Sequence, residues 1–150
     1  PEDGPSHQAA LLVVVAQLGA DLLEAGVVGR GPRLAGAGPV GLGSAALADE
    51  LGTDKLKIVG VDADLYLTDP EKKHVYLTSI MKRMDSTVKD VIKMAMDGSF
   101  AGGVVEGTLA SGGVDIAPFH DFDGAVPAEL KTELDAIRAG IVDGSIKVGP

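Results

Sequence analysis

The sequence predicts an α/β fold: a mostly parallel sheet flanked by helices. Short apolar runs bounded by glycines and polar turns alternate with longer stretches whose apolar residues recur every three or four positions. That alternation is the pattern of strands joined by crossover helices. An apolar content of 45% beside 23% charged residues, in a chain of 150 residues, supplies one hydrophobic core. A single ordered unit is expected, and disorder is not.

Each element has its own signal. Residues 8–25 are rich in Ala and Leu and suit a helix ending near Gly26; the block Leu11 to Val15 suits a buried strand equally well, and both stay open. Gly26 to Gly43, dense in glycine and carrying Pro32 and Pro39, predicts a long loop. Ser44 is placed to cap a helix over Ala45 to Leu51, which Gly52 ends. Lys57 to Val61 reads as a short buried strand, with Asp62-Ala63-Asp64 directly behind it. Past a turn at Asp69-Pro70, His74 to Ile80 predicts a second strand, followed by Lys82-Arg83. Asp85 then stands where it would cap a helix in which Val88, Val91, Ile92 and Ala95 share an apolar face, with Lys89, Asp90 and Lys93 toward water and Gly98 at the end. Three of the four methionines, Met81, Met84, Met94 and Met96, lie within reach of that helix, where packing in the core is expected. Gly103 to Val105 and Val114 to Ala117 read as strands. The last helix opens at Pro127, carries Leu130, Leu134, Ile137 and Ile141 on one stripe, and stops at Asp143-Gly144.

Composition narrows the function. Lys plus Arg number 13 against 22 Asp plus Glu, a net charge of −9, which repels a phosphate backbone and excludes nucleic acid as the expected partner. Without cysteine there is no disulfide, thiolate zinc site or thiol nucleophile. The apolar run Ala9 to Ala16 is far shorter than the roughly 20 residues of a membrane span. Pro1-Glu2-Asp3-Gly4 offers neither an initiator Met nor the basic start of a secretory signal, so a mature, trimmed or partial chain is expected.

Three motifs are candidates for chemistry. Gly36-Ala37-Gly38-Pro39-Val40-Gly41 spells G-x-G-x-x-G, with Asp62 about twenty residues on, as in nucleotide-dependent oxidoreductases. That fingerprint follows an apolar strand, whereas Gly29-Arg30-Gly31-Pro32-Arg33 stands here, which favours an ordinary glycine-rich turn into a helix. Asp62-Ala63-Asp64 matches the D-x-D of Mg-dependent phosphotransferases, in which one carboxylate attacks phosphorus and the other moves a proton. Leu65-Tyr66 replace the small turn usual there, and capping of a turn is the plainer role. The third motif is Lys82 behind the second strand. Ligands of α/β sheets sit in the crevice beyond the carboxyl ends of strands. An acceptor-only carboxylate at one end, Asp62, and a three-donor ammonium at another, Lys82, together suit the vicinal hydroxyls of a sugar. His7, His74 and His120 have no metal-type spacing, and His120-Asp121-Phe122-Asp123 reads as a solvated turn flanked by packing phenylalanines. No metal, cofactor or catalytic residue is assigned.

Gly38-Pro39-Val40-Gly41-Leu42-Gly43, Val59-Gly60-Val61-Asp62-Ala63-Asp64, Leu77-Thr78-Ser79-Ile80-Met81-Lys82-Arg83-Met84-Asp85, Gly112-Gly113-Val114 and Val126-Pro127-Ala128-Glu129-Leu130 resemble, in order and spacing, the basic membrane protein family of ABC-transporter solute receptors. The resemblance runs from about Ala35 to Val148 and is strongest in G-V-D-x-D and T-S-x-x-K-R-x-D. It implies residues 35–150 as the C-terminal portion of such a receptor and residues 1–34 as a segment that matches poorly. It implies a type I periplasmic-binding-protein architecture, of which this chain supplies about half of two lobes, with no enzymatic activity and no cofactor. PnrA-like members of the family are lipoproteins that capture purine nucleosides (adenosine, inosine, guanosine) outside the cell and deliver them to a membrane permease. By that resemblance Asp62 and Lys82 hold ribose hydroxyls, with the backbone at Gly38 and the neighbouring Asp64 as weaker candidates. Family members are longer than this chain and have an aromatic that stacks on the base. The surface left by a missing lobe is expected to expose apolar groups and favour self-association.

Overall fold

The computed structural model describes residues 34–35, 39–54 and 56–148. The expectations for residues 8–25, for most of the glycine-rich loop and for the turn at Gly38 lie outside the described residues. The elements, in chain order, are β1 (Leu34–Ala35), α1 (Pro39–Leu51), β2 (Ile58–Asp62), the single turn α2 (Leu65–Thr68), β3 (Tyr76–Lys82), α3 (Met84–Asp97), β4 (Val114–Ile116) and α4 (Ala128–Asp143). Short 3-10 turns at Lys73–Val75 and His120–Ala125 lead into β3 and α4.

The sheet order is β1-β2-β3-β4. β1 pairs with β2 and β2 with β3 in parallel, but β4 runs antiparallel to β3, with Ile80 opposite Ile116 and Lys82 opposite Val114. The architecture is therefore α/β with a small mixed sheet flanked by helices. β3 is its centre: Tyr76, Leu77, Thr78, Ser79 and Ile80 are all buried. Alternation along a strand sends successive side chains to opposite faces. Tyr76 accordingly joins Ala45, Ala48, Leu56, Ile58 and Val75 beneath α1, whereas Leu77 joins Phe119, Val126, Leu130 and Leu134 beneath α4. Helices thus cover both faces, as a strand apolar on both sides requires. The Tyr76 hydroxyl donates to Asp69 Oδ2 at 2.6 Å. Burial, and then the Asp69 carboxylate, pushes that phenol well above its ordinary pKa.

Several expectations need correction. α1 begins at Pro39, not after a Ser44 cap, and takes Gly41 and Gly43 into the helix; proline's fixed φ and missing N–H fit the first helical position. β1 forms inside the segment read as loop. Residues 103–105 form no strand: Gly102 and Gly103 take φ of +80° and +98°, and Val104 is 90% exposed. Asp85 lies inside α3, one residue past Met84; the N-cap is Arg83, which makes no side-chain capping bond. The largest departure is the face of α3. Met84, Val88, Ile92 and Met96 are exposed by 66, 56, 53 and 83%, and α3 contains no buried residue. Met84 and Met96 are therefore not core residues. Periodicity identifies the apolar stripe but carries no information on what covers it. The stripe of α4 is covered, with Leu130 and Leu134 buried and Ile137 and Ile141 packed against them.

Candidate functional site

The site lies where two parallel strands end side by side. β2 delivers Asp62 as its last residue and β3 delivers Lys82 as its last residue, with Asp62 in register with Met81. Lys82 Nζ approaches Asp62 Oδ1 at 2.7 Å. Two residues twenty positions apart in sequence thus meet because parallel pairing aligns the carboxyl ends of neighbouring strands.

The contact is an ion pair and not an aligned hydrogen bond. Asp62 Oδ1 is shielded from solvent and accepts no hydrogen bond of good geometry, while the whole side chain is 43% exposed and that of Lys82 44%. The exposure of Asp62 therefore falls on the rest of its carboxymethyl group. The ammonium carries three N–H donors and the carboxylate two acceptor oxygens, so the pair presents donors and an acceptor together at an open edge. A vicinal diol needs that combination.

The backbone at Asp62 is constrained. Its φ is +78°, a left-handed conformation that costs an ordinary L-residue about 1–2 kcal/mol and that Asp tolerates better than most. The chain bends sharply there and doubles back into α2. Gly60, buried in the strand before it, makes the bend possible: a Cβ there would collide with Ser79 Oγ and lie 2.8 Å from the Leu65 side chain. Ser79 Oγ itself accepts the Leu65 N–H at 3.1 Å, which ties the returning chain to β3. On the far side of Lys82, the Arg83 N–H donates to the Gly113 carbonyl at 2.8 Å. Gly113 packs so tightly on Gly107 that any side chain would overlap the latter's backbone.

Asp64 is placed differently. Its Oδ1 accepts the Tyr66 N–H at 3.2 Å and caps α2, and its Oδ2 meets His120 Nε2 at 2.8 Å. The Asp64 side chain is only 12% exposed and that of His120 18%. Asp62 and Asp64 therefore serve separate partners, Lys82 for the first and the Tyr66 N–H with His120 for the second. His120 was absent from the candidate set derived from the sequence, and it stands 56 residues from its partner. Gly38 lies outside the described residues. Among the described residues no group of three His, Asp or Glu side chains is suited to hold a metal ion, and no helix is long and apolar enough to cross a membrane.

A groove of about 470 Å³ opens between the β3–β4 edge and α4, lined in part by Met81, Arg83, Phe119, Lys131, Leu134 and Arg138. Neither Asp62 nor Lys82 lines it. Its charges are already paired: Lys131 with Asp123 at 2.8 Å, and Arg138 with both Asp115 and Asp135.

Comparison with known proteins bears on this arrangement. No family model matches the chain. The chain is 34% identical over 124 residues to a protein of Lactococcus lactis subsp. cremoris (strain MG1363) named ABC transporter nucleoside-binding protein BmpA, an alignment that covers 75% of this chain. The chain belongs to the basic membrane protein family. It spans about a third of the length of the relative it matches, 34%.

Proposed function

We propose that this chain is the ribose-gripping portion of an extracytoplasmic receptor that passes purine nucleosides to an ABC permease, and that it is not an enzyme. The observation that carries the proposal is the Asp62–Lys82 pair, 2.7 Å apart and half-exposed at adjacent strand ends, in a chain whose relative is named as nucleoside-binding. Asp62 accepts from ribose hydroxyls and Lys82 donates to them, while Asp64 shapes the turn. A hydrogen bond to a charged acceptor contributes roughly 1.5–3 kcal/mol, so two of them account for much of a micromolar affinity. By family resemblance residues 35–150 are the receptor portion, and residues 1–34 match that family poorly. Family resemblance to PnrA-like lipoproteins supports a membrane-attached setting.

The test is calorimetric titration of adenosine, inosine and guanosine into the full chain in the presence of EDTA. Saturable heat is expected. Mg²⁺-dependent release of phosphate from a phosphomonoester, with no nucleoside heat, would contradict the proposal. The stripe Met84, Val88, Ile92 and Met96 is the surface through which the isolated chain self-associates, since contiguous exposed apolar area drives association. Sedimentation should show a concentration-dependent mass that Ile92→Glu abolishes; a monomer at every concentration would refute that part.

A further inference from the structure

We propose that His120 is a positioning residue for the ribose site: it braces the turn that aims Asp62, by holding Asp64 from the other side of the fold. This rests on the nucleoside-binding assignment for its effect on affinity, although the brace itself is a statement about structure alone. Three contacts join the 62–66 turn to the 3-10 turn at His120–Ala125. His120 Nε2 lies 2.8 Å from Asp64 Oδ2. The His120 and Tyr66 rings stack with centroids 4.0 Å apart and planes inclined by 9°. The Tyr66 hydroxyl donates to Asp121 Oδ1 at 2.9 Å.

The chemistry of the contact fixes the histidine's role. An ionised carboxylate only accepts, so Nε2 must carry its proton when it meets Asp64, whether the ring is neutral or cationic. His120 itself takes φ of +45°, in the left-handed region that few residues other than glycine occupy, although His enters it more readily than most. An unfavourable backbone conformation retained at a site is held there by its surroundings and points to a role. At the other end of the brace, Asp62 also has positive φ. Between them Asp64 spends both carboxylate oxygens, one on the Tyr66 N–H and one on His120. With His120 removed, Oδ2 loses its partner, the turn loosens, and Asp62 is free to leave the orientation it holds against Lys82. A small misplacement of a binding group is enough to weaken recognition.

Two variants separate the functions of the ring. His120→Phe keeps the stack on Tyr66 and removes the N–H; His120→Gln loses the ring and retains an N–H donor of similar reach. Backbone amide exchange on the full chain is the first readout. His120→Phe should raise exchange at Leu65 and Tyr66 about tenfold while leaving Leu77 in the core unchanged, and His120→Gln should restore most of the protection. Equal exchange in all three proteins, or a uniform rise that includes Leu77, would overturn the brace. The second readout is adenosine titration. Affinity should fall roughly tenfold in His120→Phe and recover in His120→Gln. If the unaltered chain binds adenosine and His120→Phe binds it equally well, the positioning role is refuted. If the unaltered chain binds no nucleoside, the binding assignment falls, and the exchange measurement still decides the brace.

Discussion

Substitution at Asp62 separates two properties that share one residue: a left-handed backbone and the charge proposed to receive ribose hydroxyls. Asp62→Asn preserves shape and tolerance of positive φ while removing the charge. Asp62→Ala and Asp62→Gly both remove the side chain, and differ only in the Cβ that a φ of +78° disfavours. In the folded protein, Ala meets the left-handed penalty of about 1–2 kcal/mol. Against that, Gly makes the unfolded chain more flexible, a disadvantage of roughly 0.4–1 kcal/mol. The difference favours Gly by about 1 kcal/mol, or a Tm higher by roughly 2–4 °C in a chain of this size. Elsewhere Ala would be the more stable of the two. The ion pair itself adds little to stability, because both side chains are nearly half-exposed and such pairs contribute about 0–1 kcal/mol. Asp62→Asn should therefore melt close to the unaltered chain. Nucleoside affinity behaves otherwise: all three variants lose at least about tenfold, since each removes a charged acceptor. Scanning calorimetry gives the first comparison and isothermal titration the second. An alanine variant as stable as the glycine variant would refute the strain argument, and an asparagine variant of undiminished affinity would refute the binding role.

Three further outcomes follow from the same geometry. Gly60→Ala should destabilise the protein by about 1–3 kcal/mol, because the new methyl displaces Ser79 or Leu65 in a packed interior; a neutral melt would show that the bend has slack. Leu77→Ala, at a position 1% exposed between β3 and α4, should cost about 2–5 kcal/mol by denaturant titration, and a loss under 1 kcal/mol would mean that the α4 layer is loosely packed. Hydrogen bonds from Lys72 and then His74 hold the Asp49 carboxyl below its ordinary value of 3.8. Because the folded pKa is the lower one, the stabilisation is complete above the unfolded value and disappears as pH falls through the folded value. Asp49→Asn should therefore lower Tm at pH 7 and leave it unchanged at pH 2; an equal effect at both would remove the charge from the explanation.

The parts of the fold legible in the sequence are those encoded locally. The ends of β2 and β3 were marked by apolar runs yielding to charge, and α4 by its proline start, its stripe and its closing glycine. Asp62 and Lys82 were legible as a pair because both follow strands, and parallel neighbours bring such ends together. The start of α1 was also written locally, in Pro39, but the surrounding glycines obscured it. What was not legible depends on distant partners. Whether β4 runs parallel or antiparallel is decided by how the 98–113 connection returns, not by Val114 to Ile116. The stripe of α3 reads like that of α4, yet one is covered and the other open. His120 meets Asp64 only because the turn after β4 passes beside the turn after β2, and no spacing between the two foretells it.

Recognition of vicinal hydroxyls by Asp62 and Lys82 is tested most directly by a thermodynamic cycle. Adenosine and 2′,3′-dideoxyadenosine would each be titrated into the unaltered chain and into Asp62→Asn, and the difference between the two discrimination ratios measures the coupling of carboxylate to diol. The account predicts that the unaltered chain prefers adenosine by at least about tenfold and that Asp62→Asn loses most of this preference. Equal affinities for the two nucleosides in the unaltered chain, or an undiminished preference in the variant, would contradict it.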